Sequence, residues 1–323
     1  MKRKSVLLIL TLCVCALLVG TALAAAPAAR PQAVTADTGG LTFAEMFPDA
    51  NFRAYVTGVV LNGSADPTGD NDSPTADQMS VIENLWIMNA NERDIRSLAG
   101  IRYFTELRAL NCFRNQLTEL DISKNTKLVG LSCDGNQLTS LDVSALPNLQ
   151  SLSCSSNQLT ELDVSALPDL EVLNVSMNQI AALDVSNNTK LTQFYCFLNQ
   201  ISELNISNMP DLMWLSCSMN QLTALDVSKN TKLVELLCGN NKIPELDVSS
   251  MLDLESLDCW ANQLTALDVS KNTKLTYLSC NNNQIPELDV SRMPNLESLY
   301  CSDNQLTALD VSSNTKLVRL RCS

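Results

Sequence analysis

The stretch LVGLSCDGNQLTSLDVSALPN, residues 128–148, decides the fold, because the chain writes its pattern ten times and begins it an eleventh. With Leu128 as position 1, Leu stands at 1 and 4, Cys at 6, Asn at 9, and Leu or Ile at 11. Leu returns at 14 and Asp-Val-Ser closes the motif at 15 to 17. Copies of 21 residues start at Leu107, Leu128, Leu149 and so on to Leu317. A fixed period of this length is the mark of a stacked solenoid, in which each copy contacts its neighbours and none is stable alone.

Positions 4 and 6 are apolar, whereas 3, 5 and 7 mostly are not. A period of two describes a short strand with one buried face. Stacked copies therefore predict a parallel sheet, with the aliphatic residues at positions 1, 4, 11, 14 and 16 of each copy packed into a shared core. Asn recurs at position 9 from Asn115 to Asn304, where the chain must leave the strand. An amide there can donate to and accept from backbone groups of adjoining turns that would otherwise be buried unpaired. The Asp-x-Ser pair and the segments that follow it carry turn chemistry for the opposite side of the coil.

Leu128, Leu131, Cys133, Asn136 and Leu138 fill the pattern L-x-x-L-x-L-x-x-N/C-x-L, with Cys in the third apolar slot. The repeat region resembles the leucine-rich-repeat family, and its 21-residue period is similar to the bacterial, internalin-like branch. The resemblance covers residues 85–323. It implies a curved solenoid, or horseshoe, with the sheet on its concave face, a turn-rich convex side, and partner binding on the concave face.

Upstream, residues 1–24 read as an export signal: Lys2, Arg3 and Lys4, then an apolar run, then Ala22-Leu23-Ala24. Residues 25–40 read as a flexible linker. Residues 41–84 read as a small helical cap over the first core layer. Its first helix is expected near Pro48-Asp49, with Phe47, Phe52, Tyr55, Val56 and Val59 at helical spacing. A second is expected from Ser73-Pro74, with Met79, Ile82 and Leu85 on one face. Between them, Asp66 to Asp77 departs from a calcium-loop pattern at its sixth and twelfth places and reads as a solvated acidic turn. Leu85 to Glu106 reads as a divergent first copy with Met88, Ala90, Ile95 and Leu98 in the core slots.

Net charge is −13, with no basic stripe, which disfavours nucleic acid as a partner. The chain has no His, so Ser/His and Cys/His catalytic pairs and His-ligated metals are excluded within it. Neither a cofactor nor a metal is expected. Ten Cys stand in a ladder at position 6, from Cys112 to Cys322, interrupted by Val175. A straight ladder does not converge four ligands on a metal. The exchange of Cys for Val shows that the slot asks for a small apolar group, so buried free thiols are expected.

Eight aromatic residues lie between Leu107 and Ser323. Phe194 falls on the inward row; Phe113, Tyr195, Phe197, Trp214, Trp260, Tyr277 and Tyr300 fall on the outward one. Core packing does not account for outward rings, and clustered aromatics mark interaction sites. The expected ligand-binding set is Tyr195, Phe197, Trp214, Met219, Trp260, Tyr277 and Tyr300, with Glu235 and Asp258 interleaved. The expected function is non-catalytic: an extracellular or surface-displayed protein, not inserted in the membrane after signal cleavage, binding a protein partner in adhesion or host interaction. A glycan ligand and a spacer role in a larger surface protein are the alternatives.

Overall fold

The computed structural model describes residues 41–60, 76–87 and 94–323. The export signal, the linker, the acidic turn at 66–75, the start of the second cap helix, and Met88 and Ala90 lie outside the described residues.

Twelve three-residue strands form one parallel sheet in strict sequence order. They run from β1 (Asn84–Trp86), β2 (Ala109–Asn111) and β3 (Gly130–Ser132) to β12 (Arg319–Arg321), one per turn. Position 4 pairs with position 4 throughout, as Leu131 does with Leu110 and Leu152. The reason is the core. A slip of one residue would expose the whole inward row, so the buried Leu ladder fixes the register. Leu128, Leu131, Cys133, Leu138 and Val143 are buried in one turn, as their equivalents are in the next. Each buried Leu contributes ~1.5–3 kcal/mol, gained only when a neighbouring turn covers it.

The Asn ladder works as the sequence predicts. Asn157 Nδ2 donates to the carbonyls of Cys133 (3.0 Å) and Cys154 (3.1 Å), while its Oδ1 accepts from Leu138 N–H at 3.0 Å. One amide thus stitches two turns, and the arrangement recurs along the solenoid. On the far side, position 15 folds an Asx turn in every complete copy. Asp142 Oδ1 accepts from Ser144 N–H at 2.9 Å, and Asn205 does the same for Ser207 in the one copy lacking Asp.

The convex side has a second rhythm. Position 19 is Asn in some copies and Leu or Met in the others. Asn188 Nδ2 donates to Val164 O (3.0 Å) and Leu167 O (2.8 Å) of the preceding turn, and Asn230, Asn272 and Asn314 repeat this every 42 residues. Position 21 alternates in step. Lys190 pairs with Asp169, Lys232 with Asp211 and Lys274 with Asp253, each at 2.5 Å. These exposed pairs add little stability, but they set a two-turn unit.

The cap contains α1 (Phe43–Met46), α2 (Ala50–Val60) and α3 (Ala76–Ser80). Asp49 starts α2: its Oδ1 accepts from Asn51 and Phe52 N–H, both at 2.9 Å. Its Oδ2 accepts from Arg96 and Ser97 N–H, which fastens the cap to the first turn. Phe47, Phe52 and Val56 are buried with Phe104. Helix α1 has no counterpart among the two expected helices, although Thr42 and Glu45 form a capping box at the recognisable T-x-x-E spacing.

Two expectations need correction. Helix α3 ends at Ser80, so Leu85 lies not on a helix face but in β1. There it pairs with Leu110, at position 4. The first turn therefore starts its strand three residues earlier than the sequence spacing suggests. Ile95 and Leu98 still occupy positions 11 and 14, with Gln116 N–H bonded to Ile95 O as Gln137 is to Leu117 O. The additional length falls between Ile87 and Asp94.

Candidate functional site

Positions 3, 5 and 7 of successive turns line the concave face. Its chemistry changes along the solenoid in three sections, since side chains there are free of the core's demands. The first section carries Trp86, 42% exposed, and Phe113, with the Arg114 guanidinium 4.9 Å from the Phe113 ring centroid.

The second section is small and polar. Ser132, Ser153 and Ser155 surround the buried Asp134 carboxylate, which accepts from their hydroxyls at 2.7, 2.5 and 2.6 Å and from Ser155 N–H at 2.7 Å. This carboxylate is saturated from within. It is a structural knot rather than a docking group.

The third section, from Gln193 onward, holds the aromatic and acidic residues. Trp214 and Glu235 are opposite one another at position 3 of adjacent strands. Leu237 faces Asp258 at position 5, and Asp258 faces Ser279. Tyr277 and Tyr300 form a tilted ring pair with centroids 5.7 Å apart. Trp260 lies over Gly239, where a Cβ would overlap the indole Cδ1 and Nε1. Nothing in the sequence pattern marks Gly239, and no periodicity argument could have found it.

Burial raises the carboxyl of Asp258 to about 6, opposed by hydrogen bonds from Ser279 and the Trp260 N–H. Glu235 is pushed up by burial and then by Asp258. Burial, and next Asp258, push the Tyr277 phenol up to about 12. Two half-buried acids thus sit beside aromatic rings with a costly charge.

Of the expected set, Tyr277 and Tyr300 touch, while Trp214 and Trp260 lie apart from them on the same outward rows; all four are half-buried. Phe194 points inward and is fully buried, as expected. Tyr195 is on the outward row but only 8% exposed, with its hydroxyl 3.2 Å from Gln193 Oε1, so it supports the floor more than it offers contact. Phe197 and Met219 are half-buried, at positions 7 and 8 of their turns. Position 8 is left-handed in every complete copy, at φ near +55° in Met177, Leu198 and Met219. These three bulky apolar residues hold a conformation that favours Gly or Asn. Leu198 is 43% exposed.

The position-6 thiols are unpaired, buried from Cys112 to Cys301 and exposed at Cys322. Burial pushes the thiols of Cys196 and Cys280 up to about 12, which suppresses thiolate chemistry. Among the described residues, no group of three or more His, Cys, Asp or Glu converges as a metal site. Among them, too, no helix is long and apolar enough to cross a membrane.

Residues 147–188, two turns, match the family described as Leucine Rich repeats (2 copies). No protein with a curated function matches the sequence. Among solved structures, the functional domain of InlJ from Listeria monocytogenes, which includes a cysteine ladder, is 39% identical with a TM-score of 0.82. The chain is thus similar in fold and in its cysteine ladder to an internalin domain, and residues 147–188 are leucine-rich repeats. The alignment covers 87% of this chain and 61% of the InlJ domain, so the chain spans under two thirds of that relative. The Listeria monocytogenes internalin InlF is 24% identical (TM-score 0.66), covering 86% of this chain and 96% of its own. The Leptospira interrogans leucine-rich-repeat protein LIC12759 is 24% identical (TM-score 0.59), covering 69% and 68%. These last two share the fold.

Proposed function

We propose that the protein is exported and binds a protein partner on the third section of its concave face, without catalysis. One observation carries this reading: Trp214, Trp260, Tyr277 and Tyr300 occupy outward strand positions on a surface whose core slots are already filled. Half-exposed aromatic groups are the usual anchors of protein interfaces. The similarity to the InlJ domain, described as functional, supports a recognition role. The cleavable leader read at residues 1–24 and the acidic, His-free composition are consistent with an extracellular or cell-surface location. The open sheet surrounding Glu235 and Asp258 lacks the enclosure that acid catalysis needs. Adhesion or host interaction is the finer reading of the same surface.

The test is a screen of the purified protein against displayed extracellular proteins and a glycan array, beside a variant carrying Trp214→Ser, Trp260→Ser and Tyr277→Ser. Loss of a captured protein partner with unchanged circular dichroism supports the reading. Retained binding by the variant would reduce the solenoid to a spacer, and capture of glycans alone would shift the ligand class.

A further inference from the structure

Charge is distributed unevenly around the coil. In the ten complete copies, no Lys or Arg occupies positions 3, 5 or 7, and the only acids there are Asp134, Glu235 and Asp258. The lysines are confined to positions 10, 18 and 21, away from the strand face. Asp134 is neutralised by a shell of serine donors. Asp258 accepts from Ser279 and, at 3.3 Å, from the Trp260 N–H, yet burial still outweighs these donors. Among the described residues neither Glu235 nor Asp258 takes part in an ion pair, and each bears the cost of a half-buried charge.

The same two acids are flanked by aromatic faces. Trp214 neighbours Glu235, and the Trp260 indole occupies the space that Gly239 leaves open. A carboxylate pair beside rings is complementary to an ammonium or guanidinium on an apolar stem, through charge-assisted hydrogen bonds and cation–π attraction. Resting on the partner-binding reading above, we propose that the bound protein inserts a lysine or arginine side chain between Glu235 and Asp258. Its stem lies against Trp260 and Tyr277. The partner segment at this place is therefore basic.

The experiment uses the purified protein and two blocked peptides, tetralysine and tetraglutamate, by calorimetry at about 150 mM salt. Three forms are compared: the native protein, E235Q/D258N, and E161Q/E203Q, which removes two exposed acids elsewhere for the same change in net charge. Tetralysine should bind the native protein and lose affinity about tenfold or more in E235Q/D258N. In E161Q/E203Q it should lose less than about twofold. No tetralysine binding, equal losses in both variants, or equally tight tetraglutamate binding overturns the proposal. The captured partner separates this result from the broader reading. If the aromatic triple variant abolishes capture but E235Q/D258N retains it fully, the docking face stands and the basic contact falls.

Discussion

Gly239 and Trp260 act as one unit: the indole occupies the space that any side chain at position 239 would need. Gly239→Ala should therefore lift the ring and destabilise the protein by about 1–3 kcal/mol, the usual cost of overpacking. In a Trp260→Ser background the same change should be almost neutral, because its obstacle is gone. Urea unfolding of the four forms measures the coupling. Additive effects would show that the indole does not rest there.

Leu198 offers the opposite experiment. Its left-handed backbone suits Gly, and its exposed side chain contributes little to the core. Leu198→Gly should raise stability by roughly 1 kcal/mol while weakening partner capture. A higher urea midpoint with lower binding would identify backbone strain retained for recognition. A lower midpoint would show that Leu198 is chiefly a packing residue.

The Asn and Cys ladders should respond differently to substitution. Asn157→Ala strands Leu138 N–H and removes donors from two carbonyls, at a cost of about 2–4 kcal/mol. Cys217→Val should cost less than about 1.5 kcal/mol, following the natural exchange at Val175. Among the repeat thiols, a maleimide should label Cys322 rapidly in the native state and the others only after unfolding.

Stability should peak between the two carboxylate populations. The nine Asx-turn aspartates, such as Asp142 and Asp268, are held below their ordinary 3.8 by hydrogen bonds from the following Ser. Their contribution is complete above that value and is lost as pH falls through their folded pKa values. Asp258 has the opposite sign. The folded state keeps its proton up to about 6, so stability declines as pH rises from 3.8 through 6. Glu235, Tyr277 and the unionised thiols of Cys238, Cys259 and Cys280 are the titratable groups around it, and Glu235 is shifted in the same direction. Urea midpoints across this range should show the decline, and Asp258→Asn should flatten it. An unchanged slope in that variant would remove Asp258 as the cause.

The period, the inward and outward rows and the Asn ladder are legible in the sequence because each is a local rule copied many times. Leu85 escapes that reading because the first turn adds its extra residues between the strand and Ile95, where no second copy checks the count. The left-handed state at position 8 is hidden, since Met177, Leu198 and Met219 carry no turn signal; hydrogen bonds to neighbouring turns impose it. Tyr195 sits on a row that points outward, yet it offers little contact. Outward on a crowded sheet is not the same as accessible, and that depends on neighbours 21 residues away.

The alternation of Asp and Lys along the convex turns constrains how such a chain can change length. Deleting the turn that carries Asp211 would bring Lys190 beside Lys232, whereas deleting that turn together with the next would set Lys190 beside Asp253 and preserve the order. From Asp169 to Lys274, growth or shrinkage of this solenoid therefore keeps opposite charges adjacent only in even steps.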